Sequence, residues 1–301
     1  MTATRRGALS AGAAYLIWGL FPLYWPLLAP SGSLEILAHR ILWSLVVVVA
    51  LLAVTRRLDA LRAAAADRRR LRLLALAAVL IGVNWGTYIY GVTSDQVVEA
   101  SLGYFVTPIV TVLLGVVVLG ERLRATQWAA LGVALLAVVV LTVENGGPPW
   151  IALVLAFSFG GYGLLKKLSG VGAVAALAVE TAVLLPVAAA YVGLLGATGA
   201  GTFASQGIGH AVLLAFAGVV TAVPLLLFGA AASRVSLTTL GVLQYLTPTM
   251  QFLLGVTLFA EPLPALRLLG FVLVWSGLAL FTTDLVRHHR RTLRLAVNTP
   301  A

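Results

Sequence analysis

Ten stretches of mainly apolar residues follow one another along this chain, at roughly 8–28, 36–54, 72–91, 98–119, 126–143, 150–166, 173–195, 210–231, 238–259 and 265–285. Each is about as long as one helix crossing the hydrocarbon core of a bilayer, which takes about 20 residues. A backbone in lipid has no water to bond to, so long apolar runs of this kind become helices. The predicted fold class is an all-α membrane protein with ten transmembrane helices. Composition closes off the soluble alternatives. Hydrophobic residues make up 61% of the 301 and charged residues 10%, against about 45–50% and about 25% in soluble proteins. So few polar residues cannot cover a water-facing surface, and disordered chains are more polar still. The first stretch follows Arg5 and Arg6 but is too long for a signal-peptide core and carries Trp18, Pro22 and Pro26. It is expected to stay as a span.

The net charge of +10 could suggest nucleic acid, but its distribution points to membrane orientation. With the N-terminus inside, every Lys and Arg lies in or beside an inside segment except Arg40, within a span, and Arg267, outside. The outside loops carry Glu35, Asp95, Glu99, Glu144 and Glu261 instead. This is the positive-inside pattern. It predicts a multi-pass protein of the cell inner membrane with both termini cytoplasmic, basic residues facing anionic membrane lipid, and no nucleic-acid partner.

Sliding the chain by 140 residues reveals an internal repeat. Residues 101–123 (SLGYFVTPIVTVLLGVVVLGERL) match 241–263 (GVLQYLTPTMQFLLGVTLFAEPL) at eight of 23 positions without a gap. The informative identities are Thr107/Thr247, Pro108/Pro248, Gly115/Gly255 and Glu121/Glu261, since Pro and acids are scarce here. Five spans per repeat is an odd number, so the second copy enters the membrane from the opposite side. Inverted repeats are a transporter architecture with a midplane site between the halves. The expected domains are 5–145 and 148–288, five helices each.

Several stretches resemble the drug/metabolite transporter superfamily, built from two EamA domains, and more narrowly its RarD (chloramphenicol-sensitive protein) family. They include AAYLIWGLFPLYW (13–25), EILAHRILWS (35–44), LIGVNWGTYIYGV (80–92), EASLGYFVTPIVTVLLGVVVLGERL (99–123), ALVLAFSFGGYGLLKK (152–167), ETAVLLPVAA (180–189) and SLTTLGVLQYLTPTMQFLLGVTLFAEPL (236–263). The resemblance implies a ten-helix exporter-like fold in the inner membrane. It implies neither a substrate nor a set of catalytic residues.

The residues themselves supply candidates for a site. Tyr104, Thr107 and Thr111 share one helical face, and their repeat partners are Gln244, Thr247 and Gln251. Polar stripes on apolar helices face the bundle interior. Pro108 and Pro248 interrupt both stripes, each freeing a carbonyl four residues earlier and kinking its helix. Tyr15 and Trp18 in the first span, Asn84, Trp85 and Tyr88 in the third, and Ser158 and Tyr162 in the sixth complete a substrate-binding set. Aromatic rings with hydrogen-bonding tips suit a small amphipathic molecule. Helix packing and bending is the alternative use of the same residues. Trp25, Trp128 and Trp150 lie near span ends and are expected in the interfacial aromatic belt. Gly160, Gly161 and Gly163 are expected at close-packing points.

Arg40 and Glu180 are charges within spans, equivalent at the 140 offset and opposite in sign. Each is a candidate for mechanism, with a structural role favoured. Glu99 either sits favourably at a helix N-terminus or serves an outer gate. No cysteine is present, and the four histidines are scattered or terminal, so neither a metal site nor a cofactor is expected. The expected function is secondary transport, by export and alternating access, of a small amphipathic metabolite or drug. A membrane-embedded enzyme acting on a lipid is the rival. It would need convergent acids or a metal motif at depth, and the sequence offers no such motif.

Overall fold

The computed structural model describes residues 3–120, 123–144, 146–232 and 243–297. Among the described residues the regular structure is helical, with no strand. In chain order the helices are α1 (Ala3–Gly19), α2 (Phe21–Tyr24) with a 3-10 turn at Trp25–Leu28, α3 (Ser33–Val54), α4 (Leu58–Ala66), α5 (Arg68–Thr93), α6 (Val97–Leu119), α7 (Ala125–Glu144), α8 (Trp150–Ser169), α9 (Ala173–Thr198), α10 (Thr202–Ser205), α11 (Gly207–Ala232), α12 (Leu246–Thr257) and α13 (Ala265–Val297). Seven of them, α3, α5, α6, α7, α9, α11 and α13, are long and apolar enough to cross a membrane. The chain is a multi-pass membrane protein.

The other three predicted spans look different. The first is broken: α1 and the segment Phe21–Leu28 bend by 43°. Pro22 and Pro26 sit at the starts of the two short turns, where a residue without an N–H is tolerated and a continuous helix is not. The sixth, Trp150–Lys166, is a shorter apolar helix. Of the ninth, only the part from residue 243 onward lies within the described residues, and Glu121 lies outside them. The loop 55–71, predicted to lie inside, holds the extra helix α4, after which the Asp67 carboxylate caps α5 by accepting the N–H groups of Arg69 (2.9 Å) and Arg70 (3.1 Å).

The principal packing pairs are α5 with α8, α1 with α11, α6 with α8, α1 with α12, α3 with α11, α5 with α9, α3 with α9, α6 with α12 and α7 with α13. Lipid gives helices no hydrophobic reason to associate, so close approach through small residues matters. A Cβ added at Gly218 of α11 would lie 2.4 Å from the carbonyl carbon and oxygen of Trp43 in α3. Gly160 and Gly161 also pack closely, against Val110 and Leu80, whereas Gly163 meets nothing within 4 Å. Val117, Leu135 and Val187 point out of the bundle, as lipid-facing residues do. One end of the bundle carries Glu35, Glu99, Glu144 and Glu261 and is called the acidic end below. The opposite end carries most of the arginines and is called the basic end.

Candidate functional site

The predicted binding residues fall into separate groups. In the first, α5, α6 and α8 meet at Asn84, which is 1% exposed. Its amide donates to the Leu155 carbonyl (3.1 Å) and to Ser158 Oγ (3.1 Å), and its oxygen accepts from the Tyr104 hydroxyl (3.2 Å). Tyr88, one turn along α5, sets its ring edge-on to Tyr104 at 5.6 Å. The Tyr88 hydroxyl is buried and has no hydrogen-bond partner among the described residues. In the second group α12 meets α1. Thr247 Oγ1 donates to the Tyr15 carbonyl (2.8 Å), and Gln251 Nε2 donates to the Trp18 carbonyl (3.1 Å). Gln251 Oε1 is buried without a partner among the described residues. The rings of Tyr15, Trp18 and Phe228 cluster beside them, at 5.6–6.1 Å.

The remaining candidates behave otherwise. Thr107 and Thr111 donate to carbonyls of their own helix, at Gly103 and Thr107 (2.9 Å each). Thr111 is exposed rather than enclosed. A hydroxyl bonded back to its own turn is less available to a solute. Gln244 is half-buried. α6 runs on through Pro108. Before α12 the helical pattern is interrupted at Tyr245, in the turn that Pro248 leaves open because it has no N–H for the Gln244 carbonyl.

Tyr162 departs from its predicted place and joins Glu180. The Glu180 carboxylate is fully buried and pairs with Lys166 Nζ at 2.7 Å. Tyr162 donates to its other oxygen at 3.2 Å and accepts from Lys166 at 2.8 Å. Lys166, counted from sequence among the inside orienting charges, is therefore committed to an intramembrane ion pair. Arg40 takes the opposite course. It is 3% exposed, its Nε donates to Thr221 Oγ1 at 3.0 Å, and its guanidinium carbon lies 4.1 Å from the Trp85 ring centre, 5.1 Å from Trp25 and 5.6 Å from Phe21. Trp25 thus departs from the expected belt. It is fully buried, while Trp128 and Trp150 are about half exposed. The bend after α1 is what turns Trp25 inward.

A run of rings links the two charged regions. Tyr88 meets Tyr104 at 5.6 Å, Tyr104 meets Phe159 at 6.0 Å, and Phe159 meets Tyr162 at 5.9 Å. Each pair lies within the range of favourable tilted or edge-to-face contact.

At the acidic end, carboxylates bind the N-termini of helices other than their own. Glu261 accepts from the backbone N–H groups of Val97 (2.6 Å) and Val98 (3.0 Å) at the start of α6. Glu99 accepts from Ile151 (3.0 Å) in α8, and Glu35 from Thr202 (2.7 Å) in α10. Helix N-termini favour such partners because their first N–H groups are unbonded and carry partial positive charge. Glu99 therefore caps α8 rather than its own helix. Burial pushes the Glu261 carboxyl above the usual glutamate range, against the pull of its two N–H donors. A cavity of about 520 Å³ opens here, lined by Asp95, Glu99, Trp150, Glu261, Arg267 and Phe271 among others. None of the predicted binding residues lines it, so this opening and the polar groups between the helices are different places. Among the described residues no group of three or more His, Asp or Glu is gathered to hold a metal ion.

Sequence reasoning missed Phe21, Trp25 and Thr221 around Arg40, and Lys166 beside Glu180. The i, i+4 spacing of Tyr162 and Lys166 on an otherwise apolar helix was the available signal for the latter.

The EamA-like transporter family matches residues 5–143. The RarD protein of Streptomyces exfoliatus is 54% identical over 288 residues, covering 96% of this chain and 91% of that protein. The RarD protein of Escherichia coli (strain K12) is 42% identical over 289 residues, covering 96% and 98%. A protein of Vibrio cholerae named as an uncharacterized transporter is 40% identical over 280 residues, covering 93% of each chain. A solved crystal structure, at 19% identity, superposes with a TM-score of 0.60 over 93% of this chain and 98% of its own, which shows a shared fold. With relatives this similar over almost its whole length, the chain belongs to the RarD family of EamA-like membrane transporters.

Proposed function

We propose that the protein is a secondary transporter exporting a small amphipathic metabolite or drug by alternating access. In this reading its ten spans form two inverted five-helix repeats, 5–145 and 148–288. The observation that carries the reading is a symmetry of packing. Exchange each predicted span with the one five places on. The pair α5–α8 becomes α11–α1, α6–α8 becomes α12–α1, and α3–α11 becomes α9–α5. The pairs α3–α9, α6–α12 and α7–α13 map onto themselves. Such invariance supports an internal two-fold relation, and inverted two-fold repeats are the usual basis of alternating access. The match of the EamA-like family over 5–143 supports the first boundary. The Asn84 and Gln251 groups both join a helix of one repeat to a helix of the other, which is where a substrate site between repeats belongs.

Topology is testable directly. Reporter fusions after Thr55, Arg124, Gly170, Ser233 and the C-terminus should report cytoplasm, and those after Ser31, Asp95, Gly147, Thr202 and Pro262 the outside. Ser233 lies outside the described residues. One robust reversal would break the odd-helix repeat.

For transport, a metabolite comparison of deletion and overexpression strains supplies the solute, and vesicles under an imposed proton gradient supply the assay. Accumulation that depends on the gradient is expected, whereas turnover of a lipid instead would favour an enzyme. Tyr104→Phe removes the donor to Asn84, and Gln244→Ala removes a half-buried amide. Each should weaken handling of the solute by about 1–3 kcal/mol, roughly 5- to 150-fold, with protein level and topology unchanged. Normal transport in both variants would move the site elsewhere.

A further inference from the structure

Arg40 is a buried cation with no counter-ion among the described residues. The ion pairs there engage Arg70, Arg124, Lys166 and Arg267, and Arg40 is in none. It lies seven residues into α3 from Ser33, about 10 Å along the helix axis. A guanidinium carries five N–H donors in one plane. Nε uses one, on Thr221, and the terminal nitrogens make no hydrogen bond to a described residue. The rings of Trp85, Trp25 and Phe21 contact the group, but a ring face is no substitute for an oxygen in the guanidinium plane.

Two more donors beside it are unanswered. The Trp25 indole N–H and the Tyr88 hydroxyl are both buried without a partner among the described residues, and an indole nitrogen can only donate. Tyr88, Tyr24 and Tyr104 all lie within electrostatic reach of Arg40. Of the side-chain acceptors on these helices, Asn84 Oδ1 is engaged by Tyr104, Ser158 Oγ by Asn84 and Thr221 Oγ1 by Arg40 itself, and Ser44 Oγ, one turn along α3, is a single buried acceptor with no partner among the described residues. Donors thus outnumber unengaged acceptors around a fixed positive charge that aromatic rings surround. The missing group is an acceptor that brings negative charge.

We propose that Arg40, with Tyr88 and Trp25, is a binding site for the carboxylate of an amphipathic organic acid, whose apolar body packs on the rings of Trp85, Tyr88 and Tyr104. The planar fork of a guanidinium matches a carboxylate. One cation matches one negative charge, where a dianionic phosphate would call for a second. That this acid is the transported substrate rests on the transporter reading, while the site itself does not. An anionic lipid headgroup offers similar chemistry, but a side chain 3% exposed inside the bundle favours a free solute.

The test is equilibrium binding to the full chain in nanodiscs of phosphatidylcholine alone, read by dialysis and by the shift in thermal unfolding. Phenylacetate, 3-phenylpropionate and indole-3-acetate are each compared with the corresponding amide, which keeps the shape and removes the charge. At least one acid should bind about tenfold or more tighter than its amide. Arg40→Gln should abolish that preference. Tyr88→Phe, which keeps the ring, should reduce it several-fold and decides the matter if Arg40→Gln does not fold. Equal binding of acids and amides to the unaltered protein, or a preference untouched by either variant, overturns the site. Competitive displacement of the acid by added phosphatidylglycerol overturns the free-solute assignment in favour of a headgroup. Acid binding without gradient-driven uptake would leave the site standing and remove the transporter reading. Uptake of a neutral solute with no acid preference would do the reverse.

Discussion

Glu180→Gln should lower the stability of the detergent-solubilised protein by about 3–5 kcal/mol at most, because it leaves a partly buried lysine without its counter-ion. The carboxylate is fully buried, and its two oxygens are engaged by Lys166 at 2.7 Å and Tyr162 at 3.2 Å. An amide keeps the shape but provides no charge for Lys166, whose side chain is 20% exposed. The same reasoning predicts that Lys166→Met combined with Glu180→Leu recovers most of the loss, since a buried pair replaced by apolar groups of similar size is often neutral. Thermal unfolding of the two single variants and the double variant measures the coupling. A Glu180→Gln protein that is fully stable, exchanges substrate for substrate, and has lost gradient-driven flux would contradict this. It would make Glu180 the coupling site. Arg40→Gln is a comparison for stability alone, because a guanidinium stays charged throughout the physiological range and cannot carry the proton, while the variant is expected to lose acid binding.

Gly218→Ala should be nearly as damaging for a different reason. The added Cβ would sit 2.4 Å from the Trp43 carbonyl and 2.9 Å from the Ser44 nitrogen. Those are backbone atoms of α3, so no side chain can swing aside and the two helices must separate. Overpacking of this kind costs about 1–3 kcal/mol, and Gly218→Leu should exceed it. Gly12→Ala in α1 is the control. Nothing lies within 4 Å of that position, and alanine is the better helix former by about 1 kcal/mol, so the unfolding temperature should hold or rise. A Gly218→Ala protein that unfolds at the same temperature as the unaltered one would show that α3 and α11 are not in backbone contact.

The apolar runs made most spanning helices legible, because lipid leaves the backbone little other choice. They could not show where prolines would bend the first span, since Pro22 and Pro26 are tolerated in turns and in kinked helices alike. The 140-residue offset paired Arg40 with Glu180, and both are buried in adjoining helices. Their partners were not legible. Lys166 has the composition of an orienting charge at a span end, and only the direction of its side chain separates that role from an ion pair. Trp25 likewise fits an interfacial belt by position and is carried into the core by the bend. The polar stripe was half informative. Periodicity gives the face on which Thr107 and Thr111 lie, but a threonine hydroxyl can always turn back to its own helix, and both do.

The acidic-end contacts have a consequence for the order of biogenesis. Val97 and Val98 stand 164 and 163 positions before Glu261, the carboxylate that receives their N–H groups. Glu35 likewise precedes Thr202 by 167 positions. A chain emerging from the ribosome N-terminus first therefore exposes the start of α6 long before its acceptor has been synthesised. Through most of translation those amides at the membrane boundary have only water or lipid headgroups to bond. The Glu99–Ile151 and Glu35–Thr202 contacts can form earlier, whereas the start of α6 is fastened last, when the loop before the last span arrives, and a nascent chain stopped before Glu261 lacks that carboxylate.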